Sequence, residues 1–221
     1  MLHQKQVAAV QGVLQTRRPA DIVELAPGPA RIACELDAVP HGIMVDRSAE
    51  MLALARERLT RAGLQTRWDI RQGNAFALHD LYAQCDFLYS FRFIRHFQHA
   101  DRVRLYQEIA SCLRPQGVFM LDVVNQTVRQ RADAKQPAVP EGELAVYDAT
   151  YTSASFHQEM LAHGFDVVHM TPVVAHFTLQ SWMSYRLDRR WHALARWTVQ
   201  TLEHVPSTQP LEWVVLCRKR G

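Results

Sequence analysis

Residues 22–31 read IVELAPGPAR. Two β-branched residues, Ile22 and Val23, lead into an acid, Glu24, and then into a turn built from Ala26, Pro27, Gly28, Pro29 and Ala30. Small residues let a backbone turn sharply and approach a ligand closely. RIACELDAV follows as a helix-like stretch, so the segment reads as a strand, a tight turn and a helix, an arrangement suited to a nucleotide-like ligand. A dinucleotide fingerprint requires glycine at the first, third and sixth places of such a turn. Counted from Ala26, the sixth place is Arg31, whose long side chain prevents the helix from lying tightly on the strand. A nicotinamide dinucleotide is therefore disfavoured.

The same alternation continues outward from this turn. Further short apolar strands are expected at HGIMVD (41–46), RWDIRQG (67–73), CDFLYSF (85–91) and GVFMLDVV (117–124), with the first at DIVELA (21–26). Between them lie amphipathic stretches. In SAEMLALARERLTRAG, Met51, Leu52, Ala55 and Leu59 fall at helical spacing and Gly63 is the stop. In HADRVRLYQEIASCLRPQG, Val103, Leu105, Tyr106, Ile109 and Leu113 do the same, ahead of Pro115 and Gly117. Nearly all-apolar strands alternating with helices imply a parallel sheet covered on both faces. Ligands of such sheets bind beyond the carboxyl ends of the strands.

Beyond residue 125 the texture changes. Residues 126–150 are polar, contain Pro137 and Pro140, and read as a lid loop. TSASFHQEMLAHGF reads as a helix with Thr152 or Ser153 as its cap, followed by the strand FDVVHMTPVV. Residues 176–204 carry a helical stripe of Leu179, Met183, Leu187, Trp191, Leu194 and Leu202, and LEWVVLCRKR is a final strand. The expected organisation is one domain over 1–221, with an N-terminal helical cap (1–20), the 126–150 lid and the 176–204 helical insertion.

Composition narrows the function class. The 221 residues are 48% hydrophobic and 21% charged, the balance of a globular chain with a proper core. No run of apolar residues is long enough to span a bilayer, and MLHQKQVAAVQGVLQTRRP has neither the apolar core nor the cleavage site of a secretory signal. The net charge of +3 is too small, without a clustered patch, to indicate nucleic acid. Cys34, Cys85, Cys112 and Cys217 form no CxxC pair and read as reduced, structural residues of a cytoplasmic protein.

ELAPGPA (24–30) resembles the E/D-x-G-x-G-x-G motif of class I methyltransferases that use S-adenosylmethionine, with Ala26 and Ala30 in place of two glycines. VDRSAEML (45–52) resembles the end of that family's second strand, GNAFAL (73–78) its G-D-A segment, CDFLYSFRFIRHF (85–97) its fourth strand and exit, and LRPQGVFMLD (113–122) its L-x-P-G-G turn. The resemblance runs over roughly residues 20–220. It implies a doubly wound, seven-stranded, mostly parallel Rossmann-like α/β sheet, with the seventh strand antiparallel between the fifth and sixth. It also implies S-adenosylmethionine as cofactor and S-adenosylhomocysteine as product. Carried over, Glu24 lies near the methionine amino group and Ala26 and Gly28 form the close turn. Asp46 accepts from the ribose hydroxyls, Arg47 and Met51 border the adenine, Asn74 and Ala75 meet its edge, and Ser90 and Phe91 pass beside the methionine part.

Methyl transfer from a sulfonium is an in-line displacement, which needs alignment and exclusion of water more than it needs reactive side chains. A general base matters only for an acceptor that keeps its proton. His96 is the candidate base, because imidazoles titrate near neutrality, although His96 and His99 read more simply as decoration of the following helix. Arg92 could pair with an anionic substrate, and Asn125 and Tyr151 stand where a substrate or a loop cap would use them. HFQH (96–99) offers two histidines but no third ligand at a telling spacing, so no metal is expected. The expected substrate is a small molecule, roofed by the aromatic 176–204 segment, with oxygen, nitrogen and carbon acceptors all open. The absence of an N/D-P-P-Y/F motif after strand four argues against a base methylase. RNA or protein methylation by another arrangement, or a module that binds the cofactor without turnover, are the alternatives.

Overall fold

In the computed structural model the described residues are 2–37, 39–80, 84–134, 147–175, 207 and 209–221. Five strands in the first 125 residues run parallel: β1 (Ile22–Leu25), β2 (Gly42–Asp46), β3 (Trp68–Gln72), β4 (Cys85–Ser90) and β5 (Leu113–Asn125). β6 (Thr150–Tyr151), β7 (Phe165–Val173) and β8 (Glu212–Lys219) complete the sheet in the order β3-β2-β1-β4-β5-β8-β7. β8 lies antiparallel between β5 and β7, as expected. Short β6 was not expected. It pairs with β5 at Val124 and Asn125, past the last β4 pairing at Leu121, and so occupies the edge that β4 has vacated.

Strand alternation divides the core into two. Val23, Leu25, Ile43, Val45, Leu88, Phe119 and Leu121 face one side, where helices α3 (His99–Cys112) and α5 (Ser153–Ala162) bring Leu105, Tyr106, Ile109, Phe156 and Met160. Ile22, Met44, Phe87, Tyr89, Val118 and Met120 face the other. There α1 (Leu2–Arg17) supplies Val7, Val10, Val13 and Leu14, and α2 (Ala49–Arg61) supplies Ala55 and Leu59. Each Val, Leu, Ile, Phe or Met among them, fully buried, contributes about 1.5–3 kcal/mol relative to exposure. Gly42 is required by a close approach: a Cβ there would run into the Trp68 ring on neighbouring β3.

Helix ends follow local chemistry. The Ser48 hydroxyl accepts from Met51 N–H to cap α2, and Gly63, at φ +70°, terminates it. Thr152 and Ser155 form a reciprocal capping box at α5. Two expectations change. RIACELDAV yields only a 3-10 turn at Ala33–Glu35, because Leu36 turns extended to bury its side chain and Pro40 leaves little chain before β2. Residues 126–133 form helix α4 (Gln126–Asp133) instead of loop, capped by Asn125, whose Oδ1 accepts from Thr127 N–H. The rest of the expected lid (135–146) and the 176–204 stripe lie outside the described residues.

Candidate cofactor site

A cavity of about 200 Å³ lies at the carboxyl ends of β1, β2 and β3. Ala26, Asp46, Arg47, Gly73, Asn74, Ala75 and Phe76 line it with Leu25 and Val45, and Phe93 and Phe97 wall it from beyond β4. The rings of Phe97 meet those of Phe76 and Phe93 edge to face, at 5.5 and 5.0 Å, so the aromatic wall is a packed unit.

The turn after β1 holds three residues in the left-handed region: Ala26 (φ 55°), Gly28 (φ 52°) and Ala30 (φ 55°). An L-residue adopts this conformation at a cost of about 1–2 kcal/mol. Both alanines therefore keep a backbone that glycine would adopt freely. Gln116, in the turn before the body of β5, does the same at φ 64°. The turn is tied to β2 by Asp46, whose Oδ2 accepts from Gly28 N–H (3.3 Å) while Oδ1 accepts from Ser48 N–H (2.9 Å). Each carboxylate oxygen retains a further lone pair for a ligand hydroxyl. At the end of β3, Asn74 Oδ1 accepts from Phe76 N–H at 3.1 Å.

Next to the aromatic wall lies a buried ionic cluster. Arg95 Nη1 donates to Asp122 Oδ2 (3.1 Å) and Glu212 Oε1 (3.0 Å), and its Nε lies 3.2 Å from Asp148 Oδ1. Burial pushes the Asp122 carboxyl up to about 6, against the opposing pull of Arg95. Asp122 Oδ1 also accepts from Arg92 N–H at 2.6 Å, holding Arg92 at φ 54°. His96 places Nδ1 3.0 Å from Asp148 Oδ1 and 3.1 Å from the Tyr147 carbonyl, leaving Nε2 without a partner among the described residues. Ala149 N–H donates to the Arg95 carbonyl (2.7 Å), so the segment after β4 and the segment before β6 are stitched together.

Residues 22–117 match the family model described as a methyltransferase domain. The match takes in 96 of the 221 residues, and over that stretch the chain is similar to a methyltransferase domain. No curated protein matches it in sequence. Among solved structures, an S-adenosylmethionine-dependent methyltransferase from Clostridium acetobutylicum superposes with a TM-score of 0.69 at 11% identity, covering 100% of this chain and 93% of that one. Mitomycin 7-O-methyltransferase gives 0.63 at 16% identity, with 97% and 53% covered. Magnesium protoporphyrin IX methyltransferase from Synechocystis, solved with bound S-adenosylhomocysteine, gives 0.63 at 10% identity, with 98% and 83% covered. The chain spans about half the length of the first of the solved structures it matches, at 53%, 57% and 50%. At these identities the likeness concerns the fold.

The cavity brings together Ala26, Asp46, Arg47, Asn74 and Ala75 of the expected set, with Gly28 joined through Asp46. Glu24, Met51, Ser90 and Phe91 do not line it. Glu24 shares the face of Ile22, opposite to Leu25, and is buried among α1-side residues. That burial pushes its carboxyl up to about 8, opposed by the neighbouring Tyr89 hydroxyl. The Ser90 hydroxyl is spent on the Leu25 carbonyl (2.8 Å), and Phe91 packs its ring 5.9 Å from that of Tyr89. Tyr151, expected at the substrate, is buried and donates to Glu159 Oε1 at 2.7 Å, in a network completed by Arg102 and Tyr106. Asn125 is occupied as a cap, as loop capping alone explains.

Sequence reasoning missed Phe76, Phe93, Phe97 and the Arg95 cluster. A signal for the cluster was present: Asp122 and Glu212 sit inside otherwise apolar strands, where a carboxylate needs a buried partner.

The residues present fit S-adenosylmethionine. A carboxylate at the end of β2, a close turn beside it, apolar walls and one amide are the donors and surfaces that an adenosine requires.

Proposed function

We propose that the protein methylates a small-molecule hydroxyl group with S-adenosylmethionine as methyl donor. Asp46 accepts from the ribose hydroxyls, and the Ala26–Ala30 turn passes close beside the ligand. Arg47, Ala75, Phe76 and Asn74 surround the base. The cavity's volume of about 200 Å³ suits the adenosyl end alone, since pockets that enclose a whole drug-sized ligand start near ~300 Å³. The methionine end then lies toward Phe93 and the segment that follows β4.

The observation that carries the hydroxyl reading is the His96–Asp148 pair, 3.0 Å apart beside the aromatic wall. S-adenosylmethionine supplies a methyl group on a sulfonium, which departs as a neutral thioether in an in-line displacement. His96 Nε2 takes the acceptor's proton, the Tyr147 carbonyl orients the ring through Nδ1, and the Asp148 carboxylate 3.0 Å away stabilises the imidazolium that forms. Arg95 holds Asp148 in place, and Phe93 and Phe97 keep water from the adenosyl cavity. The naming of one structural neighbour as a 7-O-methyltransferase accords with an oxygen acceptor. Among the described residues no helix is long and apolar enough to cross a membrane. Three buried cysteines outside any disulfide, Cys85, Cys112 and Cys217, suit the cytoplasm, which we propose as its location.

The test is transfer of a radiolabelled methyl group from S-adenosylmethionine to a panel of small phenols, alcohols, amines and carboxylic acids. Labelling confined to hydroxyl acceptors supports the proposal. Labelling of amines alone, or of RNA or protein in preference to the panel, overturns it.

A further inference from the structure

The segment that walls the cavity from beyond β4 leaves the sheet through a backbone conformation that its residue does not favour. β4 makes its last pairing at Ser90, against Leu121 of β5, and two residues later Arg92 stands in the left-handed region at φ 54°. A residue with a β-carbon keeps that conformation only where its surroundings impose it. Directly beyond it come Phe93 and Phe97, which wall the cavity. His96 N–H donates to the Phe93 carbonyl (3.1 Å) and Phe97 N–H to the Ile94 carbonyl (3.2 Å), so residues 93–97 form one tight turn. The direction the chain takes at Arg92 therefore sets where both rings stand.

Asp122 imposes that direction. It lies one residue past Leu121, where β5 has run beyond the end of β4, and is 4% exposed. Its Oδ1 accepts from Arg92 N–H at 2.6 Å and its Oδ2 from Arg95 Nη1 at 3.1 Å, so one carboxylate grips the turn at its entry and again at its middle. The two grips are not equal. Arg95 also reaches Glu212 and Asp148, whereas Arg92 N–H has no other partner among the described residues. A hydrogen bond to a carboxylate is shorter and stronger than one between neutral groups, as the 2.6 Å contact is.

We propose that Asp122 is a positioning residue, which through Arg92 N–H fixes the 92–97 turn before any ligand arrives and thereby sets the affinity of the cavity for the cofactor. The proposal rests on the reading of the cavity as the adenosyl site. Asp122 does not line the cavity, and it acts through the rings of Phe93 and Phe97, which do. A wall that is already ordered gives up little freedom when a ligand binds. Removing its anchor therefore weakens binding without removing any contact to the ligand.

The experiment is calorimetric titration of the wild-type protein, Asp122→Ala and Asp122→Asn with S-adenosylhomocysteine, beside a thermal melt of each. Asp122→Ala leaves Arg92 N–H without an acceptor and is expected to bind ~10-fold more weakly than the wild type. Asp122→Asn keeps an oxygen for Arg92 N–H and is expected to stay within about threefold of the wild type. A role confined to stability would lower Tm and leave the Kd of the folded variants alone, so wild-type affinity in a folded Asp122→Ala overturns the proposal. A loss in Asp122→Asn as large as that in Asp122→Ala overturns it too. Hydrogen exchange on the wild-type protein stands as a test even if the variants do not fold. The amides of Arg92, His96 and Phe97 are expected to be protected before S-adenosylhomocysteine is added, and free exchange until it binds overturns the proposal. Failure of the wild-type protein to bind S-adenosylhomocysteine instead overturns the cofactor reading, and this proposal with it.

Discussion

Glu24→Gln isolates a carboxyl that the fold holds in its neutral form. Glu24 is 4% exposed, and its Oε2 has no hydrogen-bond partner among the described residues. Burial raises its pKa from the ordinary 4.5 to about 8. A carboxyl raised in this way contributes stability that is fully present below the unfolded value. That stability is lost as pH rises toward the folded value, because folding must then take up a proton. Each pH unit inside this window costs about 1.4 kcal/mol, so at pH 7 the native chain forgoes roughly 3 kcal/mol. Glutamine has the shape of the protonated acid and takes up no proton. The variant should match the wild type within ~1 kcal/mol at pH 4.5 and exceed it by roughly 3 kcal/mol at pH 7, a rise of roughly 5–10 °C in Tm. Urea unfolding followed by circular dichroism from pH 4.5 to 8 measures both curves. Parallel curves, with the same offset at every pH, would refute the argument. So would a Glu24→Gln protein that keeps its stability but loses affinity for S-adenosylhomocysteine, since Glu24 would then be facing the ligand.

Arg95→Met leaves the buried Asp122 and Glu212 and the half-buried Asp148 without their shared cation. It should destabilise by about 3–5 kcal/mol at pH 8, with a smaller deficit near pH 5 because Asp122, already raised to about 6, can protonate there; denaturant titrations at the two pH values measure it. His96→Ala should lower kcat for hydroxyl acceptors by about 10²–10⁴-fold while leaving the Kd for S-adenosylhomocysteine unchanged, which steady-state kinetics beside calorimetry will show. Ala26→Gly removes the left-handed strain and adds chain entropy to the unfolded state, so thermal melting should show a net change between zero and about +1 kcal/mol. A loss of stability would mean that the Ala26 Cβ is worth more than the strain.

The sheet was legible because its signals are local: apolar runs of strand length, Thr152 as a cap and Gly63 as a stop. The side-chain hydrogen bonds of Asp46 and Asn74 are local in the same way, reaching at most 18 residues along the chain. The place of Glu24 was harder. Alternation puts it on the face of Ile22, yet only packing shows that α1 closes that face and that the cavity lies on the Leu25 side. The aromatic wall needs Phe76, Phe93 and Phe97 from two separate loops. The Arg95 cluster joins residues 27 and 117 positions apart, a distance that no periodicity spans. Strand β6 escaped notice because two residues, Thr150 and Tyr151, are too short to carry a pattern.

The central claim is that the cavity at the ends of β1–β3 holds S-adenosylmethionine through Asp46. Calorimetric titration with S-adenosylhomocysteine, on the wild-type protein and on Asp46→Ala, tests it directly. The account predicts micromolar binding by the wild type and a loss of ~10-fold or more in the variant, with both proteins melting cooperatively. Equal affinity in the two proteins, or no binding by the wild type, contradicts it.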